Sequence, residues 1–139
     1  MTDGFDEAIR NAAITLLQAD ASLTVITGPV PAGQQPPYVR IYANVEWLSD
    51  DPNNALDGLT GRAMARWTCH CVGANDLAAI RVAERVRTDL LDQRPALAAG
   101  LVPGLIRYEQ DAGTQPSVDE LTGTAVVDAI HVYRLTVDT

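Results

Sequence analysis

Residues 36–72 read PPYVRIYANVEWLSDDPNNALDGLTGRAMARWTCHCV and contain two alternating patterns separated by a polar stretch. In the first pattern an apolar side chain occupies every second position, namely Val39, Ile41, Ala43, Val45 and Trp47. The positions between them carry the more polar Tyr38, Arg40, Tyr42, Asn44 and Glu46. Period-two alternation of this length is typical of a β-strand with one face in a hydrophobic core.

The second pattern predicts another long strand of the same kind. Its apolar positions are Ala65, Trp67, Cys69 and Cys71, and they alternate with Met64, Arg66, Thr68, His70 and Val72. We expect Trp47 and Trp67 to face one core and to pack across the hairpin.

The polar stretch between the strands, Leu48–Gly61, is called the arm below. It is rich in Asp, Asn and Gly and is too long for a tight hairpin turn. Because long loops on compact domains often carry function, we expect it to contact a partner. The candidate interaction residues in or beside it are Asp50, Asp51, Asn53, Asn54, Asp57 and Arg62. The alternative is a loop whose charges serve solubility alone.

Length and composition predict one globular domain over residues 1–139. A hydrophobic fraction of 47% excludes a disordered chain. The longest apolar runs are too short to span a membrane, and the acidic N-terminus does not resemble a signal peptide. The net charge of −8 and a pI near 4.5 argue against binding to nucleic-acid phosphates.

Outside residues 36–72 the patterns predict two helices. The first runs from Asp3, a plausible N-cap, to Ala19. Its apolar stripe comprises Phe5, Ile9, Ala12, Ala13, Leu16 and Leu17. The second begins at Asn75 or Asp76 and ends near Asp92. Its stripe comprises Leu77, Ile80, Ala83, Val86 and Leu90.

The remaining stretches predict two further strands and two irregular connections. A connector, Asp20–Pro37, is too rich in Gly and Pro for regular structure apart from a brief apolar piece, Leu23–Ile26. A third strand covers Leu105–Gln110, and a polar loop follows it over Asp111–Gly123. The last strand, Thr124–Val137, is largely apolar on both faces apart from Asp128, His131 and Arg134, which favours a central place in the sheet.

Together these elements predict an α+β fold. Two helices would cover a mainly antiparallel sheet of about four strands in a two-layer sandwich, in the order α-β-β-α-β-β. The other sheet face would carry apolar side chains among charged ones: Tyr38, Tyr42, Met64, Val72, Val126, Ile130 and Val132. A mixed face of this kind is either solvated or covered by another subunit.

The residue types that carry catalysis or bind metals form no constellation in this sequence. Cys69 and Cys71 flank His70, but on a strand the histidine points away from both thiols, which disfavours a metal site. Two small buried side chains in a reducing cytoplasm are the simpler interpretation of the cysteines. His131 fits a half-buried, hydrogen-bonded side chain. The chain is therefore predicted to be no enzyme and to have no cofactor and no metal.

Several short strings resemble the minor tail and tail-terminator (tail completion) proteins of long-tailed bacteriophages. They are LLQADASL at residues 16–23, PPYVRIY at 36–42, WTCHCV at 67–72, AAIRVA at 78–83 and HVYRL at 131–135. The resemblance lies in their order along nearly the whole chain. The Pro-rich connector and the absence of lysine depart from the usual family pattern.

The resemblance implies a structural role in the virion tail, after assembly in the host cytoplasm. Such proteins form a homohexameric ring that caps the tail tube, ends its polymerisation and joins the tail to the capsid. The implied partners are further copies of the chain, the tail tube protein and head–tail connector proteins, while genome DNA passes without specific binding. The alternatives are a head–tail connector or neck adaptor and a small ligand- or metal-binding enzyme domain.

Overall fold

The computed structural model describes residues 4–48, 61–118, 123 and 125–139. The elements in chain order are α1 (Phe5–Gln18), β1 (Val25–Ile26), β2 (Tyr38–Leu48), β3 (Arg62–Gly73), α2 (Asp76–Leu90), β4 (Val102–Pro103), β5 (Arg107–Val118) and β6 (Ala125–Asp138).

The six described strands form one mixed, curled sheet. β2, β3 and β6 are neighbours in that order, β1 lies on the outer side of β2, and β4 and β5 both pair with the outer side of β6. The β1–β2 pair is parallel and every other pair is antiparallel. The predicted two-layer sandwich with a mainly antiparallel sheet of about four strands, in the order α-β-β-α-β-β, is therefore wrong. The described residues form a mixed, curled sheet of six strands in the order α-β-β-β-α-β-β-β.

The two additional strands, β1 and β4, have two residues each. A two-residue segment cannot display a period-two pattern, and it becomes a strand only because a longer neighbour supplies hydrogen bonds. β1 arises in the connector, where Val25 pairs with Val39. β4 arises in the turn before β5, where Pro103 pairs with Val137 on β6.

β5 is the largest departure from the predicted elements. It continues to Val118 through residues 111–118, which the sequence predicts as loop. Asp, Gly and Pro in this stretch disfavour strand structure. Pairing along β6 overrides that preference, with register shifts near Gln110 and Gly113 that accommodate the poorer residues. The central position predicted for the last strand is confirmed, since β6 lies between β3 and β5.

Both helices lie on one face of the sheet and enclose the main core. α1 packs on β2 and β3, and α2 packs on β3 and β6. Trp67 and Tyr133 are the largest fully buried side chains, and the Trp67 indole N–H donates to the carbonyl of Arg10 at 3.0 Å. Trp47 is 36% exposed, so the prediction that it shares this core is wrong. It pairs with Ala63, whereas Ala43 pairs with Trp67, so the indoles are offset along the hairpin.

The first helix confirms most of its predicted stripe. Ile9, Ala12, Ala13 and Leu17 are buried. Its N-cap is Gly4, which adopts a φ of 86° and forms no side-chain cap. The Asp3 predicted as the cap lies outside the described residues.

The second helix begins where predicted, because the Asn75 side chain accepts a 2.9 Å hydrogen bond from the backbone N–H of Ala78. Part of its predicted stripe is wrong. Leu77 and Ile80 are exposed, and the buried set is Ala79, Val82, Ala83, Val86 and Leu90. The first turn packs tightly on Gly73, where an added Cβ would lie 2.3 Å from the backbone nitrogen of Ala79. Position 73 therefore has no room for a side chain beneath the first turn of α2.

Candidate functional site

The sheet face opposite the helices, called the open face below, carries the alternate side chains of β2, β3 and β6. Along β3 the burial alternates between fully buried and half-buried positions, as the sequence predicts. The open face therefore consists of the same strands as the core, displaced by one residue.

One end of the open face is sealed by apolar side chains. Tyr38, Val72 and Val126 form a buried cluster with Ile26, and Val30 of the connector packs against it. These residues come from neighbouring strands because Tyr38 pairs with Val72 and Gly73 pairs with Val127. The connector thus folds over this end of the sheet.

A groove of about 500 Å³ lies next to this cluster. Its polar wall contains Arg40 and Tyr42 of β2, His70 of β3 and Asp128 of β6. Ser117 and Val118, at the end of β5, form the opposite rim. The groove therefore spans all four long strands.

The polar side chains of the groove are held by one another. His70 Nδ1 and Asp128 Oδ2 lie 2.8 Å apart, and both side chains are half-buried. The Tyr42 ring meets the His70 imidazole edge-on, at 5.7 Å between centroids. The Arg40 guanidinium lies 4.8 Å from the centre of the Tyr42 ring, which is a cation–π contact.

Two polar atoms in this wall are buried without a hydrogen-bond partner among the described residues: Arg40 Nε and Asp128 Oδ1. A buried unpaired polar atom costs about 1–3 kcal/mol. Arg40 Nε requires an acceptor and Asp128 Oδ1 requires a donor. The wall of the groove therefore holds two unsatisfied polar atoms that are shielded from solvent.

Farther along the open face two arginines are paired with carboxylates. Arg66 Nε donates to both carboxylate oxygens of Glu109 at 3.0 Å. Arg62 Nε donates to Asp138 Oδ1 at 2.8 Å, and this hydrogen bond raises the pKa of Arg62 above its usual value. These pairs join β3 to β5 and to β6.

Five of the six predicted interaction residues, Asp50, Asp51, Asn53, Asn54 and Asp57, lie outside the described residues. The sixth, Arg62, is exposed at the start of β3 and paired with Asp138, at the opposite end of the sheet from the groove. The groove was not predicted from the sequence. Its signal was the Tyr38-Val-Arg40-Ile-Tyr42 alternation, but the partners on β6 are too distant in sequence to be inferred.

The cysteines and His131 behave as predicted. Cys69 and Cys71 are buried and free, and burial raises the pKa of Cys69 to about 12 and that of Cys71 still further. Thiols of this kind stay protonated and unreactive. His131 is half-buried, with its Nδ1 3.0 Å from the Tyr108 hydroxyl.

Within residues 4–48, 61–118, 123 and 125–139, no three His, Cys, Asp or Glu side chains are grouped as metal ligands would be. Over the same ranges, neither helix has the length and apolar character needed to cross a bilayer.

The fold has a solved counterpart. One chain from the virion of a native gene transfer agent (GTA) particle superimposes with a TM-score of 0.72. The match covers 98% of this chain and 98% of that chain, at 17% sequence identity. The whole fold, including both helices and the sheet, is thus similar to that of a virion chain. No protein-family model and no curated protein matches the sequence.

Proposed function

We propose that this chain is a structural protein of a phage-like virion, in which it caps the tail tube, ends its polymerisation and joins the tail to the capsid. The observation that carries the proposal is the end-to-end similarity to a chain of the GTA virion. The resemblance of the sequence to tail-terminator proteins supports the finer role. Neither the structural similarity nor the sequence resemblance depends on a binding or catalytic role for the groove.

The two edges of the sheet support self-association. Among the described residues β5 pairs only with β6, which leaves its outer edge without a partner strand there, and residues 110–118 are exposed. On the other side β1 pairs with Val39 and Arg40, and no other strand in the described part of the chain pairs with the outer edge of β2. Unpaired edges are templates for pairing with another chain.

The directions of these two edges suit a head-to-tail contact. β2 runs opposite to β3, β3 opposite to β6 and β6 opposite to β5, so β2 and β5 are antiparallel. The β5 edge of one copy can therefore pair with the β2 edge of the next copy as an antiparallel ladder. Such a heterologous contact closes into a ring when the rotation is right, and the proposal is a homohexamer in the assembled tail.

Light scattering over a concentration series tests self-association. The expected species is six times the 14.9 kDa mass of one chain, either alone or when tail tube protein is added. A chain that stays monomeric under both conditions would contradict the ring.

Electron microscopy of particles made without this gene tests the role itself. Loss of capping is expected to give tubes of uncontrolled length that fail to join capsids. Tails of normal length, joined to capsids, would overturn the proposal. Failure to join with tail length unchanged would instead favour a neck adaptor.

Deletion of Asn53–Thr60 from the arm tests the predicted interaction residues. The expected result is a folded protein that no longer supports joining of the tail.

A further inference from the structure

The outer edge of β2 is contacted by a charged side chain of α1. Arg10 Nη1 donates to the backbone carbonyl of Ala43 at 2.9 Å. Arg10 Nε donates to Asp6 Oδ2, one turn earlier on the helix, at 2.6 Å. The Arg10 side chain is 40% exposed, so it lies at the surface of the protein. One guanidinium group therefore connects the helix to the backbone of the strand.

The Ala43 carbonyl points away from β3, toward the outer edge of the sheet. The Val39 N–H donates to the Thr24 carbonyl at 2.9 Å, on the side of β2 where β1 lies. The N–H and C=O of one strand residue point to the same side, and that side alternates from residue to residue. The register of β2 with β3 has no break. Ala43 and Val45 therefore point outward, as Val39 does.

The Arg10 guanidinium occupies the place of an incoming strand. Neighbouring strands lie about 4.8 Å apart, and their N–H groups donate to carbonyl oxygens at about 2.9 Å. Arg10 donates to Ala43 at that same distance. On the far side of Ala43 from β1, the described part of β2 has only Val45 and Trp47 as outward-pointing residues. A strand that pairs along this edge must therefore displace the guanidinium.

We infer that Arg10 blocks pairing of the β2 edge with the β5 edge of a second copy. This inference rests on the proposed ring and concerns the regulation of its junction. In a free chain the guanidinium satisfies the Ala43 carbonyl, and in the ring it turns toward solvent and keeps Asp6 as its partner. Charged side chains protect sheet edges from unwanted pairing in this way. Free chains are thereby restrained from associating, whereas copies held side by side on the tail tube displace the group.

The substitution Arg10→Met tests this block. Methionine keeps an unbranched apolar stem but has no donor for the Ala43 carbonyl. Light scattering across a concentration series is expected to give an apparent dissociation constant of self-association at least tenfold lower than that of the wild-type chain. The substitution also makes the net charge of −8 more negative by one, which by itself weakens association. Tighter association is therefore opposite to the effect of charge.

Two control variants accompany Arg10→Met. Arg81→Met makes the same change at an exposed position of α2 and is expected to leave association unchanged. Arg10→Lys keeps the charge and a donor, and is expected to give a dissociation constant between those of the wild type and Arg10→Met. Thermal unfolding of each variant verifies the fold. If Arg10→Met does not fold, Arg10→Leu replaces it, with the same expected result.

Val45→Pro tests whether the tighter association arises at the β2 edge. Proline removes the outward N–H of residue 45 and obstructs an incoming strand, whereas the ladder with β3 uses the backbone groups of the alternate residues. Added to Arg10→Met, this substitution is expected to abolish the tighter association. Hydrogen exchange gives a second readout, since the Val45 amide is expected to become protected in the Arg10→Met assembly.

The outcomes separate this inference from the proposed ring. Equal association of Arg10→Met and the wild type, with Val45→Pro weakening both, would overturn the block and leave the edge pairing intact. Tighter association that survives Val45→Pro would also overturn it, because the new contact would then lie elsewhere. A monomeric wild type beside an associating Arg10→Met that Val45→Pro returns to monomer would support it. If both chains stay monomeric alone, the block is overturned, and if they also stay monomeric with added tail tube protein, so is the ring.

Discussion

The two faces of the sheet use the same strands for different purposes. The helix-covered face is closed by Trp67, Tyr133 and the two thiols, all fully buried. The open face, one residue out of phase, carries the His70–Asp128 and Arg66–Glu109 pairs. Its groove retains two buried polar atoms without partners among the described residues.

The closed face therefore contributes mainly to folding stability, and the open face is available for contact with other molecules. The closed face buries apolar surface, which is the main favourable term in folding. The open face holds charges in pairs whose net contribution to stability is small. Substitutions on the closed face should therefore reduce stability, whereas those on the open face should mainly change association.

The largest effect is expected from Trp67, which anchors the closed face. Trp67→Ala should lower the free energy of unfolding by about 3–5 kcal/mol, because it leaves a cavity and removes the indole hydrogen bond to the Arg10 carbonyl. Trp47→Ala is the matched control and should lower it by about 1–2 kcal/mol, since its site opens to solvent and collapses without a void. Urea unfolding of both variants gives the two values. Equal losses would contradict the burial difference between the two indoles.

Gly73 tests how tightly α2 is seated on the closed face. Gly73→Ala should cost about 1–3 kcal/mol, because the new Cβ would lie 2.3 Å from the Ala79 nitrogen and 2.6 Å from the Ala78 carbonyl carbon. Gly61→Ala meets no atom within 4 Å and should change stability by less than about 0.5 kcal/mol. Thermal unfolding followed by circular dichroism compares them. Identical midpoints would show that α2 can shift at little cost.

Asp89 introduces a charge on the helix side, beside Asp20. Burial and the hydrogen bond to Asp20 raise the pKa of Asp89 to about 6, so the native state keeps a proton that the unfolded chain releases near pH 4. Asp89 therefore reduces stability as the pH rises through this window. Asp89→Asn should stabilise the protein by about 1 kcal/mol at pH 7.5, after allowance for solvent screening, and give no gain at pH 4.

Asp20 is the matched comparison for Asp89, because its substitution is expected to change stability in the opposite direction. Its hydrogen bond to Arg85, at 2.6 Å, holds the pKa of the Asp20 carboxyl well below its usual range. The stability it contributes is present above pH 4 and is lost as the pH falls. Asp20→Asn should therefore destabilise the protein at pH 7.5, opposite in sign to Asp89→Asn. Melting temperatures of Asp20→Asn and Asp89→Asn from pH 4 to pH 8 test this difference. A change of the same sign in both variants would contradict the opposite pKa shifts of the two carboxyl groups.

The smallest effect is expected for the open-face pair Arg66–Glu109. A double-mutant cycle of Arg66→Ala and Glu109→Ala should give a coupling energy of about 0.5–1 kcal/mol in low salt. The coupling should shrink in 1 M NaCl, because salt screens partly exposed charges. A salt-independent coupling above about 2 kcal/mol would mean that the open face contributes to folding as the closed face does.

The sequence by itself determined which side chains of a long strand or helix are buried, because this depends on their spacing along the chain. The alternation of β2 and β3, the Asn75 cap and the burial of Ile9, Ala13 and Leu17 follow from residue spacing alone. These features depend on periods of 2.0 and 3.6 residues, which are already present in the order of the side chains.

Only the tertiary structure determined the rest, because the partners come from distant parts of the chain. β1 and β4 are strands only through pairing with β2 and β6, and β5 extends through poor strand formers because β6 runs beside it. The buried stripe of α2 depends on how the helix packs on β3 and β6. The groove unites β2, β3, β5 and β6, with His70 and Asp128 brought together across 58 residues. The spacing of residues along one strand cannot predict such a contact, because it depends on which distant strands pair with one another.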